Sequence, residues 1–231
     1  MSQAGIAQPD PAAAQEPLCG HASSNSILAY GAQGPTTAGQ WLRDIGQLLG
    51  HLPANSRHVL NICHDRYHFL VGFGACLLSG RISLQPSSLA PGAVQQLLAH
   101  APDAVCLHDG LADEVAGASM PAIDARTCLA ATPSPASCET AFCVPTVDAE
   151  QVVAQVFTSG STGVPVPHAK TWGKLCRNVR AEALRLHLAQ HPKPMCLVGT
   201  VPSQHMFGFE SVMLLALVTG CSLWRGRPFY P

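Results

Sequence analysis

The sequence predicts an α/β fold of layered βαβ units, and three observations carry that prediction. Short apolar runs bounded by turn residues, Arg57 to Cys63, Ile82 to Leu84 and Ala104 to Leu107, read as strands. Apolar residues at helical spacing fill the intervals between them. The two kinds of segment alternate along the chain, the pattern of parallel strands joined by helical crossovers. No internal repeat competes with this reading.

The elements follow in order. Residues 1–24 are rich in alanine, glutamine and proline and are expected to form a disordered tail. Thr37 and Gln40 make a capping box ahead of Trp41, Leu42, Ile45, Leu48, Leu49 and Leu52, a helix closed by Pro53 and Asn55. A very apolar helix, expected to be buried on most sides, runs from Asp65 to Ser79 and stops at Gly80. Its His64 and His68 are four apart and share a helical face, but two histidines without a third ligand read as an ordinary polar helix start. Ser88 is expected to cap a third helix carrying Val94, Leu97 and Leu98, and His108-Asp109-Gly110 is a turn. Residues 111–140 read as surface connection around a short strand near Ala122, and Ala141 to Val144 as a strand. Val152 to Val156 is a buried strand. A long amphipathic pattern begins near His168, with Trp172, Leu175, Cys176, Val179, Ala183 and Leu186 on one face. Met195 to Val201 is the next strand, Phe209 to Val218 a helix stopped by Gly220, and Ser222 to Trp224 a last strand.

Between Val156 and His168 lies the stretch that organises the rest, Phe157-Thr158-Ser159-Gly160-Ser161-Thr162-Gly163-Val164-Pro165. Two glycines release the backbone, and four hydroxyls join its N–H groups as hydrogen-bonding partners. Such a loop cradles an anion or forms a plain tight turn. The spacing is neither the P-loop nor the dinucleotide fingerprint, and no Gly-x-Ser-x-Gly nucleophile elbow is present.

Thr158-Ser159-Gly160-Ser161-Thr162-Gly163-x-Pro165, placed after an apolar strand, resembles the signature loop of the AMP-forming adenylating enzymes. That superfamily holds acyl-CoA synthetases, luciferases and peptide-synthetase adenylation domains. Residues 59–86 resemble its early strand–helix–strand. Pro202-Ser203-Gln204-His205-Met206-Phe207-Gly208 resembles its second core motif, in which a histidine lines the carboxylate and adenylate pocket. The resemblance implies that Thr158, Ser159, Gly160, Ser161, Thr162 and Gly163 hold ATP phosphates and that His205 belongs to the active site.

It further implies ATP and Mg2+, a carboxylic acid, fatty or aryl, as substrate, and coenzyme A or an acyl carrier protein as thiol acceptor. In most relatives a lysine follows the loop proline and approaches the phosphates; here Val166 stands there, and Lys170 or His168 is left to supply the charge. The resemblance covers about residues 25–231, part of the family's large N-terminal domain. On it, the adenine- and magnesium-binding aromatic-x-Thr-Glu segment, the hinge and the small domain with its lysine lie beyond residue 231. The chain by itself is therefore expected to be an incomplete, inactive piece of a ligase. The alternative is a non-catalytic nucleotide-binding or interaction protein derived from that family.

Composition narrows the rest. The 231 residues are 47% hydrophobic, enough for a real core, and only 12% are charged. A formal net charge of −1 gives no attraction for nucleic acid or anionic membrane. No basic-then-apolar leader begins the chain, and the longest apolar run, Phe69 to Leu78, is half a membrane span. Ten cysteines without a Cys-x-x-Cys pair, several inside apolar runs, read as reduced thiols of a cytoplasmic protein.

Overall fold

A computed structural model describes residues 14–86, 88–110, 120–130, 142–158, 166–191 and 195–226. The central element is a six-stranded sheet. Its strands are β4 (His58–Asn61), β5 (Ile82–Gln85), β6 (Val105–His108), β7 (Ala122–Asp124), β9 (Val152–Thr158) and β10 (Val166–Thr171), in the order β10-β9-β5-β4-β6-β7. All neighbours pair in parallel except β10, which returns antiparallel beside β9. The βαβ architecture expected from the sequence is thus the observed one.

Helices cover both faces, as parallel strands require. On one face α1 (Ala38–Leu49), α2 (Arg66–Ser79) and α5 (Trp172–Arg185) enclose a core with Trp41, Phe73, Trp172 and Phe209 at its centre. On the other, α3 (Pro91–His100) lays Val94 and Leu97 over Leu60, Ile82, Leu84 and Phe157. The nearly uniform hydrophobicity of α2 follows from its place between the sheet and α1. A Cβ on Gly74 would sit 2.3 Å from Ile45 Cδ1, so the glycine sets how closely α1 and α2 approach. Their polar tie is the Tyr67 hydroxyl donating to Asp44 Oδ2 at 2.5 Å.

Local signals place most helix ends. Thr37 Oγ1 accepts from Gln40 N, while the Gln40 amide turns forward to Asp44 rather than back to close a box. Asp65 caps α2 through the N–H groups of Tyr67 and His68, and Gly80 ends it with φ 68. Ser88 does not cap α3 directly: it bonds Ala90 N, and the helix starts at Pro91.

Several elements differ from expectation. Residues 14–24 are not tail, because β1 (Gln15–Pro17) pairs with β8 (Thr146–Asp148) and Leu18 is fully buried. Phe142 to Val144 is not strand, and Ala141 lies outside the described residues; the strand comes two residues later, where it meets β1. The pattern beginning at His168 is strand up to Thr171, since pairing with β9 overrides helical spacing until Trp172.

A second, four-stranded sheet has the order β11-β12-β2-β3, from β2 (Ile27–Gly31), β3 (Gly34–Thr37), β11 (Cys196–Leu197) and β12 (Ser222–Trp224). Strand β11 is only two residues long because Gly199 and Val201 turn their carbonyls toward a buried arginine instead of a partner strand. Beyond it come α6 (Met206–Gly208), a π-helical segment Phe209–Leu214 and α7 (Leu215–Thr219), in place of one regular helix. The short α4 (Ala125–Leu129) follows β7 directly. Among the described residues nine cysteines are free thiols, and no helix is long and apolar enough to cross a membrane. Burial pushes the Cys76 thiol up to about 12, and Cys63 upward as well, so both behave as small core hydrophobes.

Candidate active site at the carboxyl edge of the sheet

Parallel strands deliver their carboxyl ends to one edge, where open α/β sheets bind ligands. Here β4, β5 and β9 end side by side, with Gln85 of β5 opposite Val156 of β9. Thr158 is the last residue of β9; the signature residues Ser159, Gly160, Ser161, Thr162 and Gly163 lie outside the described residues.

At this edge is a cavity of about 230 Å³ lined by His64 after β4, by Pro86, Ser88 and Leu89 after β5, and by Pro202, Gln204 and His205. His205 is exposed, and no described residue hydrogen-bonds its ring. Its backbone is fixed on both sides. His205 N donates to Pro202 O at 3.2 Å, and Phe209 N donates to His205 O at 2.8 Å. A Cβ on Gly208 would lie 2.1 Å from Pro202 O, so only glycine lets the turn close this tightly. Gln204 Nε2 donates to Cys63 O at 3.1 Å and ties the turn to the end of β4.

Lys170 lies down the strand. In the β9–β10 hairpin Val166 faces Thr158 and Lys170 faces Ala154, which sets Lys170 four residues, about 13 Å, from Val166 at the strand's start. Its charge is felt by Glu210, whose carboxyl is raised by burial, lowered in part by Lys170 and raised again by Glu182. Glu210 Oε1 is buried without a hydrogen bond among the described residues. His168 faces Val156, nearer the loop but exposed.

A larger cleft of about 430 Å³ opens farther along the same edge, between the ends of β4 and β6. Its charges are spent on one another. Asp109 accepts from the N–H groups of His64 and Asp65 at 3.0 and 2.8 Å and lies 3.2 Å from His68 Nδ1. Burial would raise this carboxyl, but those hydrogen bonds outweigh it and hold Asp109 at about 2. Asp65 receives Arg225 Nε at 2.8 Å, and the Arg225 guanidinium lies 4.8 Å from the centre of the Tyr67 ring. His68 is therefore part of a structural ion network, and no described group of three His, Cys, Asp or Glu is arranged for a metal.

Comparison with known proteins places the chain in a family. A family model described as AMP-binding enzyme matches residues 41–229. The chain belongs to that family. Over 66 residues, 29% of the chain and 16% of the relative, it is 42% identical to a 4-coumarate–CoA ligase of Halorhodospira halophila. It superposes on o-succinylbenzoate coenzyme A synthetase of Bacillus subtilis, solved with ATP and magnesium ion, with TM-score 0.73 and 15% identity. That match covers 94% of this chain and 59% of the synthetase chain. McyG A-PCP, complexed with phenylalanyl-adenylate, gives TM-score 0.65 and 17% identity over 87% of this chain and 34% of its own. The chain spans less than two thirds of the length of these relatives, and at such identities the two superpositions establish the fold.

Sequence reading missed Arg66, Asp109, Arg225 and Glu210. Asp109 was legible only as a turn residue. The partners of Arg66 and Arg225 lie more than a hundred positions away in the chain, where no spacing rule operates.

Proposed function

We propose that this family member contributes the phosphate loop and one wall of the acid pocket to an ATP-dependent acyl-adenylating ligase. The observation that carries the reading is the meeting, on one sheet edge, of the exit of β9 into the signature loop and the cavity that presents His205. The cavity is smaller than the roughly 300–1,000 Å³ of complete ligand pockets, as suits one wall of a site.

A carboxylate oxygen of the acid attacks the α-phosphorus of ATP, forming an acyl–adenylate and releasing pyrophosphate. A thiol of coenzyme A or a carrier protein then displaces AMP to give the thioester. Backbone N–H groups and hydroxyls of residues 158–163 hold the departing phosphates as negative charge develops. His205 donates from its ring to an acid or adenylate oxygen. Magnesium, when bound, would neutralise phosphate charge; the described residues provide no His, Cys, Asp or Glu cluster for it. The acid is fatty or aryl in this reading, the compartment is the cytoplasm, and residues 25–231 form the amino-terminal part of the nucleotide-binding domain.

A second reading has one observation in its favour. Val166 rather than lysine follows Pro165, and Lys170 sits about 13 Å down the strand from Val166, which suits a nucleotide-binding protein without catalysis. Acid-dependent ATP–pyrophosphate exchange by the complete gene product separates the two. The ligase predicts exchange that His205→Ala lowers sharply; ATP binding with no exchange for any acid would favour the second.

A further inference from the structure

Arg66 is the largest charged side chain in the described core, 1% exposed in the first turn of α2. Its guanidinium reaches across the molecule. Nη1 donates to Gly226 O at 2.5 Å, and Nη2 donates to Gly199 O at 2.8 Å and to Val201 O at 3.2 Å. Its own N–H donates to Arg225 O at 3.0 Å. Burying a guanidinium costs several kcal/mol unless hydrogen bonds offset the loss of water, so this cation is worth keeping only where the carbonyls it binds must be held.

Those carbonyls belong to the segment that carries His205. Gly199 and Val201 lead into Pro202, whose carbonyl accepts from His205 N and leaves no room for a side chain on Gly208. Gln204 secures the other flank from Cys63 O, three residues before Arg66. The turn 63–66 is thus a platform for the histidine, fixed in its turn to the six-stranded sheet by Asp109. A lysine in place of Arg66 keeps the charge but lacks the planar fork that reaches three carbonyls at once.

We infer that Arg66 is a positioning residue, which sets the orientation of His205 by clamping the backbone at Gly199 and Val201 without touching substrate itself. The inference rests on the proposed role of His205 for its relevance to catalysis, but the experiment addresses the clamp directly. Amide hydrogen exchange and the pH titration of the His205 ring are followed by NMR in the full chain, with the His205 signal assigned through His205→Gln. Arg66→Lys is expected to speed exchange at His205 and Phe209 by tenfold or more and to shift the His205 titration. Exchange at Leu60 and Leu84 and the His100 titration stay as they were.

Arg66→Met should do the same more strongly. If it fails to fold, Gly199→Ala replaces it. The new Cβ would lie 3.1 Å from Arg66 Nη2 and about as close to the Val212 methyls, displacing the clamp while leaving the arginine in place. Unchanged exchange and titration at His205 in Arg66→Lys and Gly199→Ala would overturn the inference. So would an equal rise at Leu60 and Leu84, which marks a general structural role. These readouts decide the clamp whether or not the protein forms an adenylate, so pyrophosphate exchange tests the proposed reaction separately.

Discussion

The two clefts on the carboxyl edge differ in a way that size alone would misjudge. The larger, between β4 and β6, is crowded with charge, yet Asp65, Asp109, His68 and Arg225 satisfy one another. The smaller has a single exposed imidazole with no hydrogen bond to a described residue, held on a turn fixed through the backbone at 199, 201 and 202 and through the side chain of Gln204. Saturated polar groups stabilise a fold; an unsatisfied group on a rigid support is available to a ligand.

That contrast breaks first at its histidines. In the complete gene product His205→Ala is expected to lower acid-dependent ATP–pyrophosphate exchange by about 10²-fold or more, the scale of losing one oriented hydrogen-bond donor in such a site. His68→Ala should leave exchange within about threefold while lowering the denaturation midpoint. Equal losses at both positions would erase the distinction between the clefts.

Next in size is Gly208→Ala, which forces a Cβ to within 2.1 Å of the Pro202 carbonyl. A cost of about 1–3 kcal/mol is expected from such overpacking, read by urea denaturation, with exchange activity falling along with it.

Asp109→Asn sharpens the other side of the comparison. Because the folded state holds this carboxyl at about 2, below its unfolded value, its contribution is present above the unfolded pKa and lost as pH falls through about 2. The variant should lose about 1–2 kcal/mol at pH 7 and only a small part of that at pH 2, measured by denaturation at both values. An equal loss at both would deny the carboxylate its role.

Smallest is Lys170→Met. Since Lys170 faces Ala154 and not the loop end, ATP affinity should change less than about threefold, whereas a lysine on the phosphates would cost a factor of ten or more. A large loss of affinity would return Lys170 to the site.

How much of this was legible in the sequence depends on how local the cause is. The cap at Thr37, the helix start at Asp65, the stops at Gly80 and Gly220, and the alternation of strands and helices from Arg57 to Leu107 rest on neighbouring residues, and all stand in the structure. Strands β1 and β8 escaped because each is short and exists only through the other. The strand character of His168 to Thr171 was hidden because helical spacing there is overridden by pairing with β9. His205 was visible through its motif. What holds it was not, since Arg66 meets its carbonyl partners only after two sheets have packed together.

The most direct measurement is an NMR titration of the full chain with ATP and magnesium. The account predicts that the amides of residues 158–163 and the His205 ring shift together with one dissociation constant, while the signals of His68, Asp109 and Lys170 stay in place. Shifts centred on Asp65, His68, Asp109 and Arg225, with His205 unmoved, would contradict it.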